Sequence, residues 1–585
     1  MKNTFSVAPY GQTEDNNLIG RSFAGYQVWF RTAPDWFHWS RKNGQPPSDD
    51  NVRTEMFPAC REYPAEALCD TALSPYPDGA PVRLYASAHP AAIDTHFRWM
   101  AQYGIDGVGI QRFFDGTADY PQPEPSHLTA VMKAAEKHHR LFYMMYDTTG
   151  YWRGGETAVQ QLQGDVLHNI EGKGLISSPA YAHAHGKPVI CIWGLSPLEP
   201  RRYPPAKDAV EFINWLKERG YFVIGGLPDN SWTEETGDYA AVYAALDMIS
   251  PWTPGRFRPE TVDAWVSDHL ARDLAYVKAH GQEYQPVLHS GFAWSNFRTG
   301  GEPNATPRAA GQFLWKQAKH YAAAGVRNVY FAMLDEYDEG TALLPAASDS
   351  FDLPNNTTYF QTLSLDGQWV SSDFYMRLGG AISAILRGER AMTEGLPVPL
   401  SEGPVYWRNG FEKRLACVKM RGEEDEEQWR AVDICDVDGM IVSQEAVQLE
   451  VASIKRGEAA TGQFAFAYSG LAMSAGRCHV TYRLANTAIP VEEGMTLSYQ
   501  LGARTEAGDY VGVELLFDDG TRLSDYLPAV LQPKGAYNEG VGFVKQTFPL
   551  PTALVGRTIT AVAVAYDAVG EQLFKAYVDD IILQK

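Results

Sequence analysis

The chain has 585 residues, too many for one compact core, so two or three domains are expected. Its formal charge of −21, from 50 basic and 71 acidic side chains, repels nucleic acid and anionic membrane surfaces and leaves an uncharged substrate as the best fit. Aromatic residues make up 12% of the chain, which fits either a large core or a set of flat surfaces for stacking on sugar rings.

Residues 1–19 read as an N-terminal extension. They lack the apolar segment of a secretory signal, which predicts a cytoplasmic location, or export if the chain has been trimmed. No run of about 18 apolar residues occurs, so no membrane span is expected. From residue 20 to 390, short β-prone runs alternate with segments of helical period. The runs are Tyr26–Phe30, Ile105–Phe113, Leu141–Tyr146, Pro188–Leu195, Tyr221–Leu227, Met248–Trp252, Gln285–Phe292 and Asn328–Leu334. Between them, Ile93, Phe97 and Met100 share one helical face. Lys207–Gly220, Thr261–Gly281 and Arg308–Gly325 read as further helices, and the last covers about Ser372–Gly388. Eight strand–helix units predict an α/β domain with a parallel sheet, and eight closes a (β/α)8 TIM barrel; a doubly wound open sheet is the alternative. The first connection, Arg31 to His89, is long and rich in Trp, Pro and Asp, which suggests a functional loop.

Residues 391–404, rich in Pro and Gly, read as a linker. Residues 405–585 show short alternating strands and turn signals, the pattern of an all-β sandwich, read as an accessory domain that either binds carbohydrate or packs against the barrel. The acidic run at 421–429 reads as a solvated loop. The six cysteines form no CxxC pair, so free thiols are expected, with a Cys60–Cys69 bridge the alternative in an exported protein.

Chemistry in such a barrel gathers where the strands end. Those positions supply Gln27, Trp29, Arg112, Tyr146, Asp147, Trp193, Trp252, His289 and Trp294 as candidate substrate contacts. The eighth run ends in Asp335, Glu336, Asp338 and Glu339. Stacking surfaces beside paired acids suit glycosidic cleavage, where one carboxylic acid protonates the leaving oxygen and a second carboxylate acts as base or nucleophile. Crowding raises the pKa of one acid in such a cluster. Glu336 and Glu339 point the same way only if the chain turns near Tyr337. An acidic helix start and a Ca²⁺ or Mg²⁺ site remain open readings of these acids, and a helix cap and a core histidine remain so for Asp147 and His289. No cofactor loop or metal motif is present, so no cofactor is expected, and the oligomeric state is not legible.

The segments GYQVWFRT, HFRWMAQYGIDGVGIQRF, MYD, PVICIWGL, FVIGGLP, ISPWTPGRF and DEYDEGTA, in this order, resemble bacterial proteins of the glycoside hydrolase family 99/71-like group over about residues 20–385. Family 99 contains endo-acting α-mannosidases and mannanases, and family 71 contains α-1,3-glucanases. The resemblance implies a (β/α)8 barrel and an oligo- or polysaccharide substrate, with α-linked, retaining hydrolysis. The family 99 motif Asn-Glu-Trp-His-Glu-Gly-Thr matches Asp335–Thr341 at both glutamates and at Gly-Thr. By that match Glu339 is the general acid/base, and Glu336 is the base that deprotonates the sugar 2-hydroxyl on the way to a 1,2-anhydro sugar. Asp335, Tyr337 and Asp338 depart from the motif, and Asp338 joins the candidate substrate contacts. A non-catalytic glycan-binding protein and a metal-dependent polysaccharide-active enzyme are the alternatives.

Overall fold

The computed structural model describes residues 16–114, 125–199, 202–297, 301–419, 427–433, 439–537 and 542–585. Most of the acidic run at 421–429 therefore lies outside the described residues, as does Cys435.

A curled parallel sheet dominates the first two-thirds of the chain. Its strands, in spatial order, are Glu283–Tyr284, Met248–Pro251, Phe222–Leu227, Lys187–Trp193, Leu141–Asp147, Gly107–Phe113, Ser22–Tyr26, Val329–Ala332 and Val287–His289. Helices Pro90–Tyr103, Pro125–His138, Ala206–Glu218, Val262–His280, Gln312–Ala323 and Phe374–Leu386 cross between strands. Each expected helix with a strong apolar stripe is present within a few residues of its expected bounds, because a long 3.6-residue period leaves little choice.

Two expectations need correction. A closed barrel is not observed: the ladder is open between Glu283–Tyr284 and Val287–His289, which follow one another in the chain with Gln285 and Pro286 between them. Pro286 has no N–H and biases the residue before it, so this stretch does not run as one unbroken strand. Instead Gln285 N–H donates to Ile249 on one side at 2.9 Å, and Tyr330 N–H donates to Pro286 on the other at 3.0 Å. The first strand also sits earlier than its apolar run suggests, ending at Tyr26. The Gln27 and Val28 N–H groups that would continue it donate to the Asp335 carboxylate, at 2.8 and 3.0 Å.

Inside the curl, Phe23, Tyr143 and Tyr330 fill the floor, and Gly25, Gly107 and Gly109 face them where a Cβ would collide. This large-against-small packing fills the interior of the curl at these positions.

Downstream, Val447–Arg456, Phe464–Ala472, Gln572–Gln584, Thr496–Ala503 and Val544–Pro549 form one antiparallel sheet, with Val405–Asn409 added to Gln572–Gln584. Met440–Glu445, Arg477–Pro490, Thr558–Val569 and Val511–Phe517 form another. Phe466, Leu497 and Val578 of the first share one apolar core with Val480, Val513 and Val564 of the second, and Trp369 joins that core from the N-terminal part.

Candidate active site

The site is built on the chain that leaves Val329–Ala332. Alternation does not survive past Leu334. Asp335 is fully buried and caps the end of the first strand through Gln27 and Val28. Tyr337 turns into the core and donates from its hydroxyl to Pro345 O at 3.1 Å. Glu336, Asp338 and Glu339 remain on the other side as a group. Thr341 and Ala342 N–H both return to Glu336 O, at 3.1 and 3.0 Å, and lock the turn. Gly340 lies at φ 65°, and a Cβ there would stand 2.7 Å from the Ala293 Cβ. Only glycine meets both conditions at low cost.

Each acid has a distinct surrounding. Glu336 Oε2 accepts from Gln27 Nε2 at 2.9 Å, while Oε1 is buried without a protein donor. Burial first, then the Asp338 charge, push Glu336 well above the usual carboxylate range. Asp338 Oδ2 accepts from His38 Nδ1 at 2.6 Å and from Arg53 Nε at 3.1 Å. Burial opposes its ionisation, but the hydrogen bond with Glu336 and the His38 and Arg53 charges prevail and bring it down to about 2. Glu339 is half-buried, and burial followed by the Asp338 charge raises it to about 7. No protein hydrogen bond to its carboxylate is found among the described residues. Asp335, raised by burial against its two backbone donors, also reaches about 7.

Trp29 reaches the acids through His38, and further aromatic rings lie at the strand ends. Trp29 stacks on His38 at 3.8 Å and 11°, and on Phe113 at 5.2 Å and 15°. Phe113 is 40% exposed at the rim. Trp193 and Trp252 meet edge to face at 5.7 Å, and Trp252 leans over Tyr330 at 6.5 Å. Asp147 is half-buried, registers with Phe113 and Trp193, accepts from Thr149 N–H at 2.8 Å and is raised by burial. Trp294 is half-buried beside Phe292, at 5.3 Å.

Three expected contacts lie on the other face of the sheet. Gln111 donates inward to the Tyr330 hydroxyl at 3.3 Å, so its neighbour Arg112 faces the helices. There Arg112 forms a bidentate pair with Asp165, which also accepts from Tyr146 at 2.8 Å. His289 packs between Phe257 and Phe313, at 5.1 and 4.9 Å, and burial lowers it to about 3. The acids are no exposed helix start, since Asp335, Glu336 and Asp338 are at most 2% exposed.

Sequence reasoning missed His38, Arg53, Phe113 and the capping role of Asp335. His38 and Arg53 come from the long first loop, whose length and Trp, Pro and Asp content were the only signals. That loop also holds strain beside the site: Val28, Trp36 and His38 have φ of 55°, 49° and 65°.

Among the described residues, no three His, Cys, Asp or Glu side chains are grouped as metal ligands, and no helix is long and apolar enough to cross a membrane. Cys60, Cys69, Cys191 and Cys478 are free thiols.

No family model matches the chain, and no curated protein matches it. Among solved structures it is similar to the GH99 endo-α-mannosidase from Bacteroides thetaiotaomicron, with 15% identity, TM-score 0.47, and coverage of 64% of this chain and 99% of that one. A β-mannanase from Streptomyces thermolilacinus, in complex with mannohexaose, shows 16% identity, TM-score 0.29, and coverage of 43% and 77%. The glycoside hydrolase domain of Endo-D from Streptococcus pneumoniae R6 shows 10% identity, TM-score 0.26, and coverage of 98% and 81%.

Proposed function

We propose that this protein is a glycoside hydrolase that cleaves an oligo- or polysaccharide, α-linked and with retention, at the acid cluster after Val329–Ala332. One observation carries the reading. One turn gathers three carboxyl groups in different surroundings: Glu336 held by Gln27, Asp338 by His38 and Arg53, and Glu339 with no protein hydrogen bond among the described residues. These surroundings push the pKa of Glu336 and Glu339 up and that of Asp338 down. A site that holds an acid and a carboxylate together at neutral pH matches what glycosidic cleavage requires.

In this reading Glu339, the least buried of the three, protonates the leaving oxygen and later accepts a proton from water. Glu336, paired with the Asp338 carboxylate, takes the proton of the neighbouring sugar hydroxyl, whose oxygen closes on the anomeric carbon. Gln27 orients Glu336. Trp193, Trp252, Trp294 and the exposed Phe113 offer faces to sugar rings, Trp29 backs Phe113 and His38 from within its stack, and Asp147 offers an acceptor to hydroxyls. Arg112, Tyr146 and His289 support the scaffold from the helix side. Membership of the family 99-like group, an effectively barrel-like catalytic unit over residues 20–390, and a β-sandwich accessory domain over 405–585 belong to the same proposal.

The test is hydrolysis of a panel of α- and β-linked oligosaccharides, with product anomers followed by NMR. The native protein is expected to retain configuration. Glu336→Gln and Glu339→Gln should each lose about 100-fold or more in kcat, as removal of a general acid or base does. Turnover that survives both substitutions would remove the cluster from the mechanism. Binding of a glycan without any turnover would make the protein a glycan-binding scaffold.

A further inference from the structure

Two buried oxygens at the site have no protein donor, Glu336 Oε1 and Asp338 Oδ1. The two side chains are within hydrogen-bonding reach of each other. Their other oxygens are engaged, Glu336 Oε2 by Gln27 and Asp338 Oδ2 by His38 and Arg53. Two ionised carboxylates in this position would repel each other in a medium that screens poorly. A proton between Oε1 and Oδ1 removes the repulsion and gives both orphan oxygens a partner.

The surroundings say where that proton resides. Arg53 places positive charge on the Asp338 side only, and His38, from the same long first loop, adds a hydrogen bond there. His38 is itself held flat against Trp29. Glu336 faces a neutral amide. Within the turn, Asp335 and Glu339 are the other titratable neighbours, and Asp335 is taken up by two backbone N–H groups.

We propose that Glu336 and Asp338 share one proton, with Glu336 as donor, and that Asp338 is a positioning residue through which Glu336 accepts a substrate hydroxyl proton. The catalytic part of this rests on the glycosidase reading above. In the step, the substrate O–H bond breaks and its hydrogen bonds to Glu336 Oε2. The Glu336 Oε1–H bond breaks as Asp338 Oδ1–H forms, so the pair passes from one negative charge to none. The electron pair left on the substrate oxygen bonds to the anomeric carbon, the bond to the leaving oxygen breaks, and that oxygen takes the Glu339 proton. Hydrolysis reverses the transfers: water gives its proton to Glu339, its oxygen bonds to the anomeric carbon, and the sugar oxygen recovers a proton from the pair.

Two measurements test this. The first needs no substrate. The infrared carboxylic-acid carbonyl band of the native protein at neutral pH is compared with that of Glu336→Gln. The expected result is a band that Glu336→Gln removes and Asp338→Asn shifts or abolishes. Its absence from the native protein overturns the shared proton, whatever the activity. The second is the pH dependence of kcat. Asp338→Asn should lower kcat by roughly 10-fold or more with little change in KM. It should also move the profile to lower pH, because the charge that raises both glutamates is gone. Asp338→Glu, which restores the charge, should return the profile toward the native one. A native kcat and profile in Asp338→Asn overturn the positioning role. A shared proton in a protein that turns over no glycoside overturns its catalytic use and, separately, the glycosidase reading.

Discussion

Burial holds the Glu339 carboxyl at about 7 in the folded chain, whereas an unfolded Glu titrates near about 4.3. Between those values the folded state binds more protons than the unfolded state. Stability is therefore greatest below the unfolded pKa and declines as pH rises toward the folded one. Asp335 and Glu336 carry shifts of the same sign. Asp338, lowered, acts in the opposite sense: its contribution is present above the unfolded pKa and is lost as pH falls toward about 2. Glu339→Gln, which lowers turnover in the proposed reading, should thus stabilise the fold, by about 1–2 kcal/mol near pH ~8 and by little near pH ~5, after allowance for solvent screening of a half-buried group. Thermal melts at the two pH values check this, and an unchanged difference between variant and native would remove the burial argument. The acids at 336, 338 and 339 were legible because a run of charge at the end of an apolar segment is anomalous in itself. His38 and Arg53 were not, because nothing local in a loop marks which side chain will meet a carboxylate 300 and 285 positions away.

The turn from Asp335 to Thr341 does what neither a strand nor a helix would. It sends Asp335 and Tyr337 into the protein and keeps the three remaining acids together. Gly340 makes this possible, so Gly340→Ala sets a positive φ against an L side chain and drives a methyl group into Ala293. A loss of about 1–3 kcal/mol is expected, with a larger fall in kcat than in substrate binding, since the turn aims the acids. Denaturant titration and steady-state kinetics read the two effects, and a variant with native kcat would show that the turn tolerates the shift. The helices and the middle strands were legible from period alone. The first strand was not, because YQVWF has the composition of a strand while Asp335 takes the N–H groups that a strand would use. The interrupted stretch at Gln285 and Pro286 was written in the sequence as an X-Pro pair inside an apolar run, but only the pairing partners on either side show that it splits the ladder.

At the scale of the molecule, the two parts of the chain are joined by buried polar contacts rather than by a linker alone. Arg414 is 2% exposed and donates to Pro354 O at 2.9 Å, Thr358 O at 3.2 Å and Asn356 Oδ1 at 3.0 Å. Arg408 holds Asp349 and Asp352, and Trp369 Nε1 donates to Asp349 at 2.6 Å while its ring sits in the C-terminal core. Removal of either side leaves buried charge and carbonyls unpaired, a loss of about 3–5 kcal/mol for a single such partner. The native protein should therefore unfold in one calorimetric transition, and Arg414→Ala should lower that transition as a whole or split it in two. Two separate transitions in the native protein would show that the seam does not couple the parts. The anchoring of Asp335 on Gln27 and Val28 has a further consequence, in time rather than in space. The groups that meet there are 308 and 307 positions apart, so no competent acid cluster exists until nearly the whole parallel sheet has been synthesised and its first and last strands have met. Contacts of such separation form late and slowly. A nascent chain emerging from the ribosome can pair its first strand early with Gly107–Phe113 but leaves the other edge open for hundreds of residues, and activity should appear only after the slowest folding phase, not in step with the gain of helix.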